Sequence, residues 1–486
     1  MIDTNEHDHS WIRPLDEYQS YRGLPPMAGL CSVAEAAKPG LSVDQCVGRL
    51  KRYHYALKRL HEILTARITT EPVYELKTAF SHHAYLCAEH VAAIRKRVGE
   101  MREPPLGLEE VPHPALEVLF DEIRAAPSTA ELLLGIYECA IPALIEALGR
   151  HTIDTNRLID APSVRVCRFA LLELGDMRDF GRKAVAAMVE PSQLAAADDW
   201  LALLDRLFAA AGGLHGADTV DDRPIERRYS ATPYVYDRVP KRDERFYDGY
   251  NGGVNPEAFL YDEHYPAQAK TLMMFYKRLR EIDVPEMMAS IIAETPGKPW
   301  DYYLEMTRQL WDEARHAMIG EVGFASLGID WSRIPVNFTW SLNLNTQLTP
   351  IERHAVLFFI EQGLMPKTGK RFEWEVGRAS GNPLSATAQD YDWADEVLHA
   401  AIGRRWYVAQ FGNLHEALDY GDRCWTKVVS DWRGYRERGL TDHRNWWPEL
   451  YSAACERWGI VPDPQVLQFA ETYESQRADL QALPAE

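Results

Sequence analysis

The sequence of 486 residues lacks the features that mark several large classes of protein. Its seven cysteines form no C-x-x-C pair, and an odd number cannot all pair within one chain, so we expect free thiols in a reducing compartment. No segment offers about 18 uninterrupted apolar residues, and residues 1–20 lack the apolar run of a signal peptide. A formal net charge of -19 without a strong Lys/Arg stripe argues against nucleic acid as a partner. We therefore expect a cytoplasmic protein with no membrane anchor.

The sequence also lacks the alternation of apolar and polar residues that is typical of strands. Apolar residues instead recur at three- and four-residue steps, the spacing of amphipathic helices. Hydrophobic residues make up 46% of the chain, enough for buried cores, and the length favours more than one domain. We predict an all-α protein organised as an irregular arm at 1–41, a helical domain at 42–212, an ordered strap at 213–265, a four-helix bundle at 266–437 and a Trp-rich tail at 438–486.

Two stretches within the predicted bundle are nearly identical in pattern. Residues 312–321 read DEARHAMIGE and residues 395–404 read DEVLHAAIGR, so each holds Glu-x-x-His preceded by Asp. Residues three apart share one face of a helix, so a carboxylate and an imidazole can reach the same metal ion. The four side chains are Glu313, His316, Glu396 and His399. Two such helices, each faced by a helix that adds one Glu, are a recurrent way to hold two metal ions in a bundle.

The facing Glu of the first motif is found by counting helix length. The predicted bundle helices are 266–295, 300–327, 350–365 and 390–412, followed by another at 414–437. The middle of the first motif lies about 21 Å from the start of its helix, at about 1.5 Å per residue. The same distance counted back from Thr295, at the end of the preceding helix, leads to Glu281. Glu286 is the alternative, because Asp283 and Pro285 are typical of the start of a shorter helix and Pro285 would kink a continuous one.

The facing Glu of the second motif is Glu361. It lies about four residues from the end of its predicted helix, and Glu396 lies about five residues from the start of the next one, so their depths match. Glu352 is better explained as the capping-box partner of Thr349. The Asp of each motif has a role as well, since a metal-bound His usually donates its other ring N–H to a carboxylate. We expect Asp312 to orient His399 and Asp395 to orient His316.

The motif resembles that of a known superfamily. DEARH matches in full the D-E-x-R-H form of the ferritin-like carboxylate-bridged di-iron proteins, whereas DEVLH has Leu398 in place of Arg. That superfamily includes the ribonucleotide reductase small subunit, the soluble methane monooxygenase hydroxylase, acyl-carrier-protein desaturases and arylamine N-oxygenases. The resemblance covers about residues 265–412. It implies the metal ligands Glu281, Glu313, His316, Glu361, Glu396 and His399, with Glu313 and Glu396 as the bridging, catalytic carboxylates.

The resemblance also implies an activity. We expect a non-haem di-iron oxidoreductase that uses O2 to hydroxylate, desaturate or N-oxygenate a small organic substrate, with manganese or a mixed manganese–iron pair as the alternative cofactor. The alternatives in function are a ferroxidase, a dimanganese catalase-like enzyme and a non-enzymatic helical scaffold. No Rossmann fingerprint or Fe–S cysteine set is present, so electrons would come from an external donor. The N-terminal domain is predicted to be metal-free, and a homodimer is left open.

The reductase-type radical Tyr has no counterpart in either motif. The position one turn after the His is occupied by Gly320 in the first motif and by Gly403 in the second. A glycine inside a helix costs about 1 kcal/mol relative to alanine, so the pair calls for a reason. The sequence leaves two reasons open, namely room beside the metals for dioxygen or substrate, and close packing of helices.

Overall fold

The computed structural model describes residues 13–220, 224–246, 254–336, 339–429 and 444–472, and the regular elements within these ranges are all helices. The all-α prediction is confirmed for this part of the chain. The start of the predicted arm and both ends of the predicted tail lie outside the described residues. The same applies to two short parts of the predicted strap and to the last residues of the predicted helix 414–437.

Contacts divide the chain into two compact units, and neither unit is one continuous stretch. Unit 1 comprises Met1–Leu60 and Glu89–Tyr234, and unit 2 comprises His61–Ala88 and Val235–Glu486. Two of the three divisions fall inside long helices, α2 at Val43–Thr70 and α3 at Tyr74–Met101, which follow the short α1 at Val33–Ala36. The third division lies between Tyr234 and Val235.

The other helices of unit 1 lie within the predicted helical domain 42–212. They are α4 at Pro114–Arg124, α5 at Thr129–Leu133, a π-helical segment at Leu134–Ala140, α6 at Ile141–Asp154, α7 at Ala161–Met188 and α8 at Pro191–Ala210. Helix α6 packs on α7, and α4 packs on α8. The stretch Thr129–Asp154 is long and apolar enough to cross a membrane by composition, but 61% of its most apolar window is buried within the protein, as in a core helix.

Unit 2 contains the helices that carry the two motifs. Its helices beyond α3 are α9 at Pro256–Tyr261, α10 at Ala267–Arg280, α11 at Asp283–Ala293, α12 at Trp300–Ser326, α13 at Thr339–Gln347, α14 at Pro350–Gly363, α15 at Lys370–Ala379, α16 at Pro383–Trp406, α17 at Leu414–Val429, α18 at Trp447–Trp458 and α19 at Pro464–Leu467. Helix α12 packs against α10, α11 and α16, and α14 packs against α11 and α16. The two motif helices, α12 and α16, are therefore neighbours.

Local sequence signals explain where the motif helices and their partners begin. Helix α14 starts with the capping box of Thr349 and Glu352, with Pro350 in the first turn, as predicted. Helix α16 starts at an Asn382 side chain that accepts the backbone N–H groups of Leu384 and Ser385. It begins seven residues earlier than predicted, since its first two turns, PLSATAQ, contain Leu384 as their single large apolar residue.

The predicted helix 266–295 is broken in the structure. It ends at Arg280 as α10 and resumes at Asp283 as α11, with Glu281 at the junction. Pro285 has no N–H to donate to the Glu281 carbonyl, which explains the break. Helices α13 and α15 were not predicted. Helix α13 is polar and shows no clear apolar period, whereas α15 is amphipathic but highly charged and, at 10 residues, too short to be identified from periodicity alone.

Candidate metal centre

The six predicted ligands converge in unit 2 and form two overlapping groups. Position 1 comprises Glu281, Glu313 and His316, and position 2 comprises Glu313, Glu361, Glu396 and His399. Within each group the candidate ligand atoms all lie within 4.8 Å of one another. Five of the six residues are buried, and the side chain of Glu281 is 17% exposed. A set of four carboxylates and two imidazoles is thus enclosed by helices that come from distant parts of the sequence.

Glu313 occupies the centre of the arrangement. Its Oε1 lies 3.1 Å from His399 Nδ1, and its Oε2 lies 3.6 Å from His316 Nδ1. The centroids of the two imidazole rings are 6.0 Å apart. One carboxylate therefore faces both imidazoles with different oxygens, which is the geometry that a bridging ligand requires.

The outer nitrogens of both imidazoles face the Asp residues of the opposite motif. His316 Nε2 lies 3.1 Å from Asp395 Oδ2, and His399 Nε2 lies 3.4 Å from Asp312 Oδ2. Arg315 Nη2 donates to both carboxylates, at 2.5 Å to Asp312 and 2.7 Å to Asp395. This is the crossed pairing expected from the sequence, and it turns both Nδ1 atoms towards the centre.

Of the two alternatives for the first helix, only Glu281 lies in the cluster. Its Oε2 is 3.3 Å from His316 Nδ1. Glu286 is instead fully buried in a separate ion-pair network, where it accepts Lys77 Nζ at 2.6 Å, Arg242 Nε and Nη2 at 3.1 and 3.0 Å, and Ser341 Oγ at 2.6 Å. These partners use both of its oxygens, so Glu286 acts as a structural carboxylate.

Several buried polar atoms of the cluster have no hydrogen-bond partner among the described residues. They are Glu281 Oε2, Glu313 Oε1, Glu396 Oε2, His316 Nδ1 and His399 Nδ1. A buried polar atom without a partner is costly, and such atoms are rare in native proteins. All five belong to positions 1 and 2 and face inward. The donor set therefore fits two cations, one at each position, which would satisfy all five atoms.

The pKa values of the cluster reflect how closely its carboxylates and imidazoles are placed. Burial opposes ionisation of Glu313, but the two imidazoles overcome that effect and lower its pKa to about 2. Burial would lower the pKa of each imidazole, yet the carboxylates around His316 and His399 raise both values well above the usual range. Burial and the negative charge of Glu396 raise the pKa of Glu361 well above its usual value. A metal cation entering the cluster would therefore displace protons.

Three charged residues beside position 1 were not identified from the sequence. Arg278 Nη2 donates to Glu281 Oε1 at 2.8 Å and also binds Asp392 Oδ1. Lys370 Nζ lies 2.9 Å from both oxygens of Asp392 and 2.9 Å from Glu396 Oε1. Helical spacing signals two of them, since Asp392 precedes Glu396 by four residues and Arg278 precedes Glu281 by three. Nothing in the local sequence distinguishes Lys370.

The two glycines that follow the motifs serve close packing. A Cβ at Gly320 would lie 2.2 Å from the backbone N of Leu279 and 2.6 Å from the carbonyl O of Phe275, both on α10. A Cβ at Gly403 would lie 2.3 Å from the ring of Phe358 on α14. The structure therefore favours packing over a space reserved for dioxygen or substrate.

Unit 1 holds a different group of candidate ligands. Cys46 Sγ lies 3.2 Å from Asp160 Oδ2 and 3.6 Å from His151 Nε2, and all three residues are largely enclosed. Asp160 is already paired with Arg97 at 3.0 Å and accepts Thr155 Oγ1 at 2.9 Å. Burial raises the pKa of the Cys46 thiol to about 12, which keeps it protonated. We interpret this group as a hydrogen-bonded part of the core, while the metal-free character of the N-terminal domain stays a prediction.

No family model, curated protein or solved structure matches this chain. The class of protein must therefore be argued from the residues of unit 2 and their geometry. The resemblance in the DEARH motif remains a hypothesis about ancestry.

Proposed function

We propose that unit 2 is a ferritin-like carboxylate bundle that holds two iron ions, or manganese in their place, and uses dioxygen to oxidise a small organic molecule. The observation that carries the proposal is the position of Glu313, whose two oxygens face the inward Nδ1 atoms of His316 and His399. Carboxylate oxygen and imidazole nitrogen suit iron and manganese better than copper or structural zinc. These residues would hold two reduced iron ions, which would supply electrons for dioxygen chemistry at a C–H or N–H bond.

The chain itself would contribute orientation and charge. Asp312 and Asp395 hold the imidazoles from outside the cluster, and Arg315 holds the two Asp residues together. Such outer contacts typically change metal affinity 10- to 100-fold when removed. Glu361, whose pKa is raised, would hold a proton next to Glu396 until a cation displaces it. Burial of the ligands would keep bulk water from the centre.

The activity would require partners that the sequence does not supply. A separate protein or small reductant would provide electrons, and the substrate would be a small molecule. A ferroxidase would use the same ligands but would consume oxygen with excess Fe(II) alone. A catalase-like enzyme would work with manganese and release oxygen from hydrogen peroxide.

Measurements of oxygen uptake distinguish the proposed oxidation of an organic substrate from ferroxidase activity. The protein would be loaded with Fe(II) without oxygen and then mixed with oxygenated buffer, first alone and then with an arylamine, an alkylbenzene or a medium-chain fatty acid as probes. We expect one oxidation event per iron pair in the absence of substrate, and further uptake only with a probe and a reductant. Continuous uptake with excess Fe(II) alone would establish a ferroxidase instead.

A pair of buried glutamates gives the matched control. Glu313→Gln removes the central carboxylate charge and should abolish the oxidation event. Glu286→Gln makes the same chemical change at a buried carboxylate outside the cluster and should leave the event intact in the folded protein. Equal oxidation in both variants would contradict the proposed centre.

A further inference from the structure

The two positions of the cluster differ in the permanent charges that surround them. At position 2, the inward oxygens of Glu313 and Glu396 contact no Lys or Arg among the described residues, and Glu361 Oε1 accepts only the neutral amide of Gln309 at 3.2 Å. On the side of position 1, Arg278 binds Glu281, and Lys370 binds Oε1 of Glu396, whose other oxygen faces His399 at position 2. The electrostatic field therefore favours a cation at position 2 over one at position 1.

Lys370 is held in place from several directions. Its ammonium group has three N–H donors, and three carboxylate oxygens lie 2.9 Å away, two on Asp392 and one on Glu396. The side chain is fully buried. Its backbone N–H donates to the Leu364 carbonyl at 3.1 Å, and the preceding Gly369 leaves no room for a Cβ, which would lie 2.2 Å from that same oxygen. The tight turn fixes where the lysine enters the cluster.

The lysine also affects the bridging role of Glu396. Glu396 Oε2 lies 3.4 Å from His399 Nδ1 and faces position 2, whereas Oε1 is bound by Lys370. A second carboxylate bridge would need Oε1 for the ion at position 1. Asp392, which with His316 and Glu396 forms a further possible ligand group, is held by both Lys370 and Arg278. Glu396 Oε1, the oxygen that could complete position 1 as a fourth ligand, is therefore bound by an ammonium group.

We propose that Lys370 competes with the metal ion at position 1, so that the first divalent cation binds at position 2 and the second enters only when the ammonium group leaves Glu396. The inference rests on the proposed dimetal function and adds an order of loading to it. Arg278 strengthens the effect, because it keeps one oxygen of Glu281 engaged while the other faces His316. The occupancy of position 1 then depends on the metal concentration after position 2 is filled.

The order of loading can be measured with Mn²⁺ alone, by equilibrium dialysis with metal analysis and by EPR. We expect two binding steps in the wild-type chain, with dissociation constants at least tenfold apart, and an isolated Mn²⁺ signal after the first step. That factor is a lower bound, since a unit charge a few ångströms away has a larger effect in a protein interior. His399→Ala should remove the tight step, and His316→Ala should mainly weaken the second one.

Substitution of the lysine tests its role directly. Lys370→Met should bring the two dissociation constants closer by at least tenfold, whereas Lys370→Arg should preserve the separation. Lys277→Met is the matched control, because Lys277 is a buried lysine that pairs with Glu373 and touches none of the six ligands. If Lys370→Met does not fold, the double variant Lys370→Met with Asp392→Asn removes the ammonium group and its main counter-charge together.

The outcomes separate this inference from the function on which it rests. Two equivalent ions that bind wild-type protein in a single step would overturn the competition by Lys370 and leave the dimetal proposal standing. An unchanged separation of the two steps in Lys370→Met would do the same. Failure of the wild-type chain to bind any Mn²⁺ or Fe²⁺ would overturn the dimetal proposal and the inference with it.

Discussion

Substitution of Gly320 by alanine tests how closely the centre depends on helix packing. The new Cβ would lie 2.2 Å from the backbone N of Leu279, about 1.2 Å short of ordinary contact at 3.4 Å. Because the obstacle is backbone rather than the end of a flexible side chain, α10 and α12 must move apart locally. Overpacking of this kind costs about 1–3 kcal/mol, and the gain in helix propensity offsets about 1 kcal/mol of it. We expect Gly320→Ala to lower the free energy of unfolding by up to about 2 kcal/mol, the upper end of the difference, because the obstacle is backbone.

The same movement should weaken one metal position more than the other. Gly320 follows His316 by one helical turn, and the displaced helix α10 leads directly into Glu281, whose Oε2 lies 3.3 Å from His316 Nδ1. Position 1 should therefore lose affinity, while position 2, built from α12, α14 and α16, should change little. Urea unfolding followed by circular dichroism gives the stability, and Mn²⁺ dialysis gives the metal content.

Gly363 provides the control for this experiment. It is the last residue of α14. Apart from its chain neighbours and the backbone of its own helix, no described heavy atom would lie within 4 Å of a Cβ added there. Gly363→Ala should leave stability and metal binding close to wild type. The reasoning is refuted if Gly320→Ala unfolds at the same urea concentration as Gly363→Ala and binds the same amount of metal.

Two further predictions concern carboxylates around the cluster. The ion pairs of Glu286 with Arg242 and Lys77 outweigh the opposing effect of burial and lower its pKa from 4.5 to about 2, so their stabilisation is complete above pH 4.5 and is lost as pH falls towards 2. Glu286→Gln should therefore lower the free energy of unfolding by about 3 kcal/mol at pH 7. In urea unfolding at a series of pH values, the difference from wild type should shrink below pH 4.5. A constant difference would argue against the ion pairs. Asp395→Asn should weaken Mn²⁺ binding about 10- to 100-fold in dialysis, since it changes the partner of His316 Nε2 at 3.1 Å, and unchanged affinity would contradict its orienting role.

Much of the cluster could be predicted because helical periodicity relates sequence distance to direction. The three-residue spacing within each motif places its Glu and its His on the same face of a helix. Counting residues from the turns between helices predicted Glu281 and Glu361 as the facing ligands. These residues lie together in the structure, and the Asp residues pair across the motifs as expected. The identities of the ions and of the reaction remain predictions.

The residues that were missed depend on contacts between distant segments. Lys370 begins a short and highly charged helix, and its position next to Glu396 follows from the packing of α15 on α16. The sequence did not decide whether the predicted helix 266–295 is continuous at Glu281, because Pro285 is compatible with either a kink or a new helix. Tertiary contacts, which no local pattern encodes, determine the position of Lys370, whereas the break at Glu281 has a local cause in Pro285.

The amount of metal bound by the wild-type chain and by Glu313→Ala tests the central claim most directly. Both proteins would be equilibrated with excess Fe(II) under anaerobic conditions, passed through a desalting column and analysed by mass spectrometry for metal and by Mössbauer spectroscopy. The account predicts about two iron ions per wild-type chain and loss of the paired centre in Glu313→Ala with helical content retained. Less than one ion per wild-type chain, or equal occupancy in the variant, would contradict it.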